Sequence, residues 1–140
     1  MTEKYAAIAR MKGMMKEKNL TSVFLENIIY TTWPGENKPY SIRRVEYDPK
    51  KERIIIWQHW DQSNTGHYIE DFEDEKVFRI EKELKSSIDA LKKYRVFVTA
   101  WVDVLATNPD NAKKTISLCP SDEYRDKVTC IVPTGEIKEL

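Results

Sequence analysis

An aromatic ring beside a guanidinium suits recognition of a nucleotide-like anion. The ring stacks on a planar group, and the guanidinium forks onto phosphate or carboxylate oxygens. Tyr40, Arg43, Arg44, Trp57, His59 and Trp60 bring both residue types into two short segments, Tyr40 to Tyr47 and Arg53 to Trp60. Both segments are rich in β-branched and aromatic residues, and Asp48-Pro49-Lys50-Lys51 joins them, so they read as a hairpin. Strict alternation puts Arg43, Val45 and Tyr47 on one face and Ile55, Trp57 and His59 on one face. If those faces coincide, Arg43, Trp57 and His59 lie together, and with Tyr40 they form the candidate ligand site. On the same alternation Arg44 points away, so Arg43 and Arg44 cannot both serve one site. The plainer reading is a half-buried sheet face with Trp in the core and Arg at its rim.

Other chemistries have weaker footing. His59 and His67, with Asp61 or Asp71, could make a two-His, one-carboxylate metal set, or could be ordinary strand residues. Glu46 and Asp48 alternate onto one face, with Lys50 beyond them. That pattern suits a carboxylate-metal nuclease and equally suits a solvated hairpin end. Cys119 and Cys130 are the only cysteines, and their spacing fits neither a metal knuckle nor a redox pair. A nucleophilic Cys needs a neighbouring His and an electropositive pocket, whereas Cys130, between Thr129 and Ile131, reads as buried. The glycines, Gly13, Gly35, Gly66 and Gly135, are too scattered for a phosphate-cradling loop. Walker and dinucleotide fingerprints are absent, which argues against an ordinary ATPase or dehydrogenase. No catalytic residue, metal ligand or cofactor is assigned.

The chain's totals bound these readings. Its 140 residues fit one domain over 1–140, and 41% hydrophobic content supports a packed core. Lys plus Arg equals Asp plus Glu, at 23 each. That balance gives no strong nucleic-acid signal and excludes an acidic DNA mimic. The opening residues lack the apolar run of a signal peptide, and no stretch is apolar enough to span a membrane. A cytoplasmic protein with reduced thiols is expected, in which the Asn19-Leu20-Thr21 sequon has no consequence.

The elements that would position the site follow from periodicity. Thr2 can cap a helix to about Lys18, with Tyr5, Ile8, Met11 and Met15 as its stripe and Asn19 as its stop. Val23 to Trp33 reads as a strand, followed by the turn Pro34 to Pro39 and the hairpin described above. Asp61 to Gly66 is read as a loop leading to a strand from His67 to Phe72. Short connections make the set an antiparallel meander of about four strands. Beyond it, Val77, Leu84, Leu91, Val98 and Leu105 recur every seven residues. Glu75–Arg79, Glu81–Lys85 and Asp89–Lys93 add favourable acid-to-base pairs. This predicts one helix over about 75–106, ending at Asn108-Pro109, in preference to a break at Lys93 with a strand from Arg95 to Leu105. Such a helix is about 45 Å long and outruns its own sheet. Tyr94, Val98, Trp101, Val102 and Leu105 would then form an apolar interface for a homodimer. Thr115 to Cys119 and Val128 to Val132 read as short C-terminal strands, and Glu136 to Leu140 as a loose end.

The fold class is therefore α+β. The function expected is that of a small non-enzymatic binding or regulatory protein. It would recognise a nucleotide-like or anionic small ligand, or dock on and inhibit a protein partner. The alternative is a metal-dependent hydrolase or nuclease using Glu46 and Asp48 or His59 and His67. A structural subunit assembling through the long helix is a third reading.

Overall fold

The computed structural model describes residues 2–32, 39–60, 63–97, 101–117 and 137–140, with the backbone alone at 60, 101, 102, 116 and 117. The chain is an α+β protein with an N-terminal helix and a β-meander. Its backbone contacts fall into two compact units, one ending at Asp89 and one running from Ala90 to Leu140. Among the described residues no helix is long and apolar enough to cross a membrane.

The first unit opens with α1, Glu3–Glu17. Ala7, Ile8, Met11 and Met15 are its buried face, while Tyr5 is half exposed and lies off the stripe. Thr2 stands at the N-cap, but its hydroxyl makes no capping bond. The helix stops where Asn19 turns to a φ of 53°, a conformation that Asn tolerates better than most residues.

Strands β1 (Ser22–Thr31), β2 (Tyr40–Asp48), β3 (Arg53–Trp60) and β4 (Ser63–Tyr68) follow in an antiparallel sheet of order β1-β2-β3-β4. The last of these starts earlier than the sequence suggests. Ser63 to Gly66 belong to the strand and not to a loop, and a 3-10 turn, Ile69–Asp71, replaces its expected end. In that turn Ile69 is buried, as is Phe72 just after it, and the Phe72 ring meets His67 edge-on at 6.3 Å.

Helix α2, Asp74–Asp89, completes the unit by burying Val77, Ile80, Leu84 and Ile88. It packs on α1 and on β1, and α1 touches β3. The inner sheet face of Val23, Val45, Ile54 and Ile56 is buried in the same core.

The long helix is not formed. After Asp89 the chain enters β5 (Lys92–Phe97) and β6 (Trp101–Ala106), an antiparallel hairpin. Its dense β-branched and aromatic residues prefer the pleated sheet, and Tyr94 and Val96 are buried at period two. The seven-residue recurrence therefore crosses two kinds of element. Val77 and Leu84 are helical, Leu105 is in a strand, and Val98 lies outside the described residues.

Asn108-Pro109 likewise starts a helix where the sequence suggests an end. Pro109 opens α3, Pro109–Ser117, as the first helical residue, where its missing N–H costs nothing. Asn108 Oδ1 accepts from the Asn111 N–H at 2.8 Å as the cap. Thr115 to Ser117 are thus helical instead of extended. A third strand, β7 (Ile137–Glu139), pairs with β5 in the order β6-β5-β7, so the expected loose end is partly ordered. Tyr94, Val96, Ala106 and Ala112 form the core of this second unit. Cys119, Cys130 and the expected strand Val128 to Val132 lie outside the described residues.

Candidate functional site

The candidate site lies on the sheet face turned away from α1 and α2. Cross-strand register arranges this face in rows. Phe24, Arg44, Trp57 and Gly66 are paired in turn across β1, β2, β3 and β4. On one side lies the row Tyr30, Ser41, His59 and Asn64, and on the other Ser22, Glu46, Ile55 and Tyr68.

One irregularity sets these rows. Ile42 pairs with Gln58 and Arg44 with Trp57, so Arg43 is an extra residue, a β-bulge. Opposite it, β1 carries Leu25 to Ile28 between its paired residues Phe24 and Ile29. Side chains of α2 hold this detour of β1. The Glu26 N–H donates to Ser87 Oγ at 2.9 Å, and the Asn27 N–H to Glu83 Oε1 at 2.9 Å.

Alternation with Glu46 puts Arg44 on this face, whereas the face that strict alternation gives Arg43, Val45 and Tyr47 is the buried inner one and not that of Ile55, Trp57 and His59. The Arg44 guanidinium lies 4.7 Å from the centroid of the Trp57 ring and 5.9 Å from that of Phe24. Trp57 in turn lies across Gly66, where an added Cβ would meet the indole at 3.3 Å. Arg43 stays on this face too, because its Nε donates to Ser41 Oγ at 3.1 Å, and Ser41 pairs with His59. Both arginines therefore serve one face.

Donors on this face are largely uncommitted. A guanidinium carries five N–H donors. Among the described residues none of those of Arg44 enters a hydrogen bond or ion pair, although the side chain is half-buried. Burial pushes its pKa down from the usual arginine value, and the charge of Glu46 opposes that shift. Trp57 Nε1 is buried and has no hydrogen-bond partner among the described residues. His59 Nδ1 faces Asn64 Oδ1 at 2.8 Å. An amide oxygen accepts, so the tautomer with the proton on Nδ1 is the one that makes this bond.

Arg43, Trp57 and His59 are thus brought together, and Tyr40 is not. Tyr40 pairs with Thr31, whose hydroxyl receives the Gln58 amide at 3.0 Å on the opposite, buried face. The residue that alternation misplaced is Arg43, grouped with the inward Val45 and Tyr47, since the bulge that carries it leaves no mark in a hydrophobic pattern.

The metal alternatives fare differently. His59 and His67 point to opposite faces, because His67 pairs with the inward Ile56. They cannot share an ion. Glu46 and Asp48 do share the outer face, but Asp48 Oδ1 accepts the Lys50 N–H at 2.9 Å and so shapes the turn. Among the described residues no group of three or more His, Cys, Asp or Glu is placed to hold a metal.

The interface residues fall on strands. Tyr94 is buried in the second unit's core, Leu105 is exposed on β6, Trp101 and Val102 lie in β6, and Val98 is outside the described residues. The homodimer expectation rested on a helical stripe, and these strands remove that footing. Comparisons with protein-family models, curated proteins and solved structures find no match.

Proposed function

We propose that this is a small non-enzymatic binding protein whose outer sheet face takes an anionic, nucleotide-like ligand. The observation that carries this reading is the half-buried Arg44 guanidinium, held between two rings and making no hydrogen bond or ion pair among the described residues. Packing has already met part of the entropy cost of ordering that side chain, so a phosphate or carboxylate gains charge-assisted bonds at less cost. Arg43 adds a second guanidinium, while the exposed ring of Tyr30 offers a planar surface in the adjoining row.

Titration calorimetry with adenosine monophosphate and with inorganic phosphate tests the proposal. Arg44→Met keeps an unbranched side chain between the rings and removes the donors. It should weaken binding by about ten- to a hundredfold, the worth of hydrogen bonds to a charged group. Arg43→Ala should weaken it less, since this exposed side chain is held among the described residues by a single bond to Ser41. Unchanged affinity in both variants overturns the site.

A further inference from the structure

Resting on the anion-binding reading of this face, we infer that Glu46 restricts the ligand to one compact anion, such as a phosphomonoester, and rejects extended polyanions such as single-stranded nucleic acid. Glu46 follows Arg44 by two residues on β2 and shares its face. Its carboxylate is half-buried and has no hydrogen bond or ion pair among the described residues. Its cross-strand neighbours, Ser22 and Ile55, supply no compensating charge. Asp48 follows two residues later with its oxygen anchored on the turn. Arg53, opposite Asp48, is already committed to the Tyr68 ring and to Glu70 at 3.6 Å. Beyond Glu46 this face therefore offers no uncommitted cation among the described residues, and at the other end lie the uncharged Tyr30 and Ser41 with His59.

Two residues of strand advance about 6.6 Å, close to the phosphate spacing of an extended nucleic-acid strand. A polyanion lying along β2 with one phosphate on Arg44 would bring the next against Glu46, where like charges repel. A polyanion crossing the strands instead meets Phe24, Trp57 and Gly66 in the arginine row, with no second cation. A single phosphate avoids both problems, and a planar group attached to it can extend over the Tyr30 row.

The test uses the full chain at about 0.1 M salt, where charges beyond about 10 Å are screened. Affinities are measured for adenosine monophosphate and for a fluorescently labelled decathymidylate. The wild type should bind the mononucleotide and bind the oligonucleotide more weakly. Glu46→Gln, and Glu46→Ala as a second variant, should raise oligonucleotide affinity about tenfold or more while mononucleotide affinity moves by less than about threefold. If the mononucleotide binds and neither variant gains on the oligonucleotide, or both ligands gain alike, the role of Glu46 is overturned and the anion site stands. If the wild type binds neither the mononucleotide nor inorganic phosphate, the anion site itself is overturned.

Discussion

Arg44 is held by contact with two rings and not by an ion pair, which leaves its charge available. Trp57, the nearer of those rings, has a buried Nε1–H with no partner among the described residues. A buried donor without an acceptor costs about 1–3 kcal/mol, so its removal partly offsets the ring area lost in Trp57→Phe. The melting temperature of that variant should therefore shift only modestly. Its affinity for the anionic ligand should change by less than about threefold, because the buried Nε1–H is out of a ligand's reach and Phe keeps a ring beside Arg44. Thermal melts alongside calorimetry check both halves. A loss of affinity of about tenfold would show instead that Nε1 reaches the ligand.

At the scale of elements, the site depends on a detour in β1 that α2 holds in place. Ser87 is fully buried, and its Oγ both accepts the Glu26 N–H and faces Glu83 Oε1 at 3.2 Å. Ser87→Ala leaves that backbone donor unpaired and should destabilise the protein by about 1–3 kcal/mol in chemical denaturation. Because Phe24 immediately precedes the detour, the variant should also loosen the ring stack on Arg44 and weaken ligand binding. A variant as stable as the wild type would show that the detour holds without α2. The helix boundary at Asp89 belongs to this scale as well. Glu75–Arg79 and Glu81–Lys85 both fall within α2, whereas Asp89–Lys93 straddles its end. Local helical pairing therefore gave no warning of the change to β5.

For the molecule as a whole, each unit carries an ion pair that links its stability to pH. The hydrogen bond from Arg95 holds the Asp103 carboxyl below its usual value in the second unit, and the bond from Lys16 does the same for Glu52 in the first. A carboxyl whose folded pKa is depressed adds stability above its unfolded value. That contribution is lost as pH falls through the lowered folded value. The melting temperature should accordingly decline on acidification through the carboxylate range. Asp103→Asn should flatten part of the decline, and high salt should flatten it further, because both pairs are exposed and screened. A pH profile identical in the wild type and Asp103→Asn would show that the Arg95 bond contributes nothing in solution.

The α+β class and the β-meander were legible in the amino-acid sequence, and β3 appeared at both of its ends, Arg53 and Trp60. These features rest on local signals: period-two apolar patterns, dense β-branched residues, and the turn chemistry of Asp48-Pro49. The first helix was legible for the same reason, from its stripe and its Asn19 stop. Alternation did not give the site, because it grouped Arg43 with Val45 and Tyr47, which turn inward away from Trp57, and set aside Arg44, which shares the outer face with Trp57. Which face of β2 meets Trp57 is decided by its register with β3, and Arg43 joins that face only through a bulge. Tertiary structure also separated His59 from His67, since register decides which face each occupies. It replaced the long helix with a hairpin because the strand preference of residues 92–106 and the pairing of β5 with β6 and β7 outweigh a spacing that only coincides with a heptad.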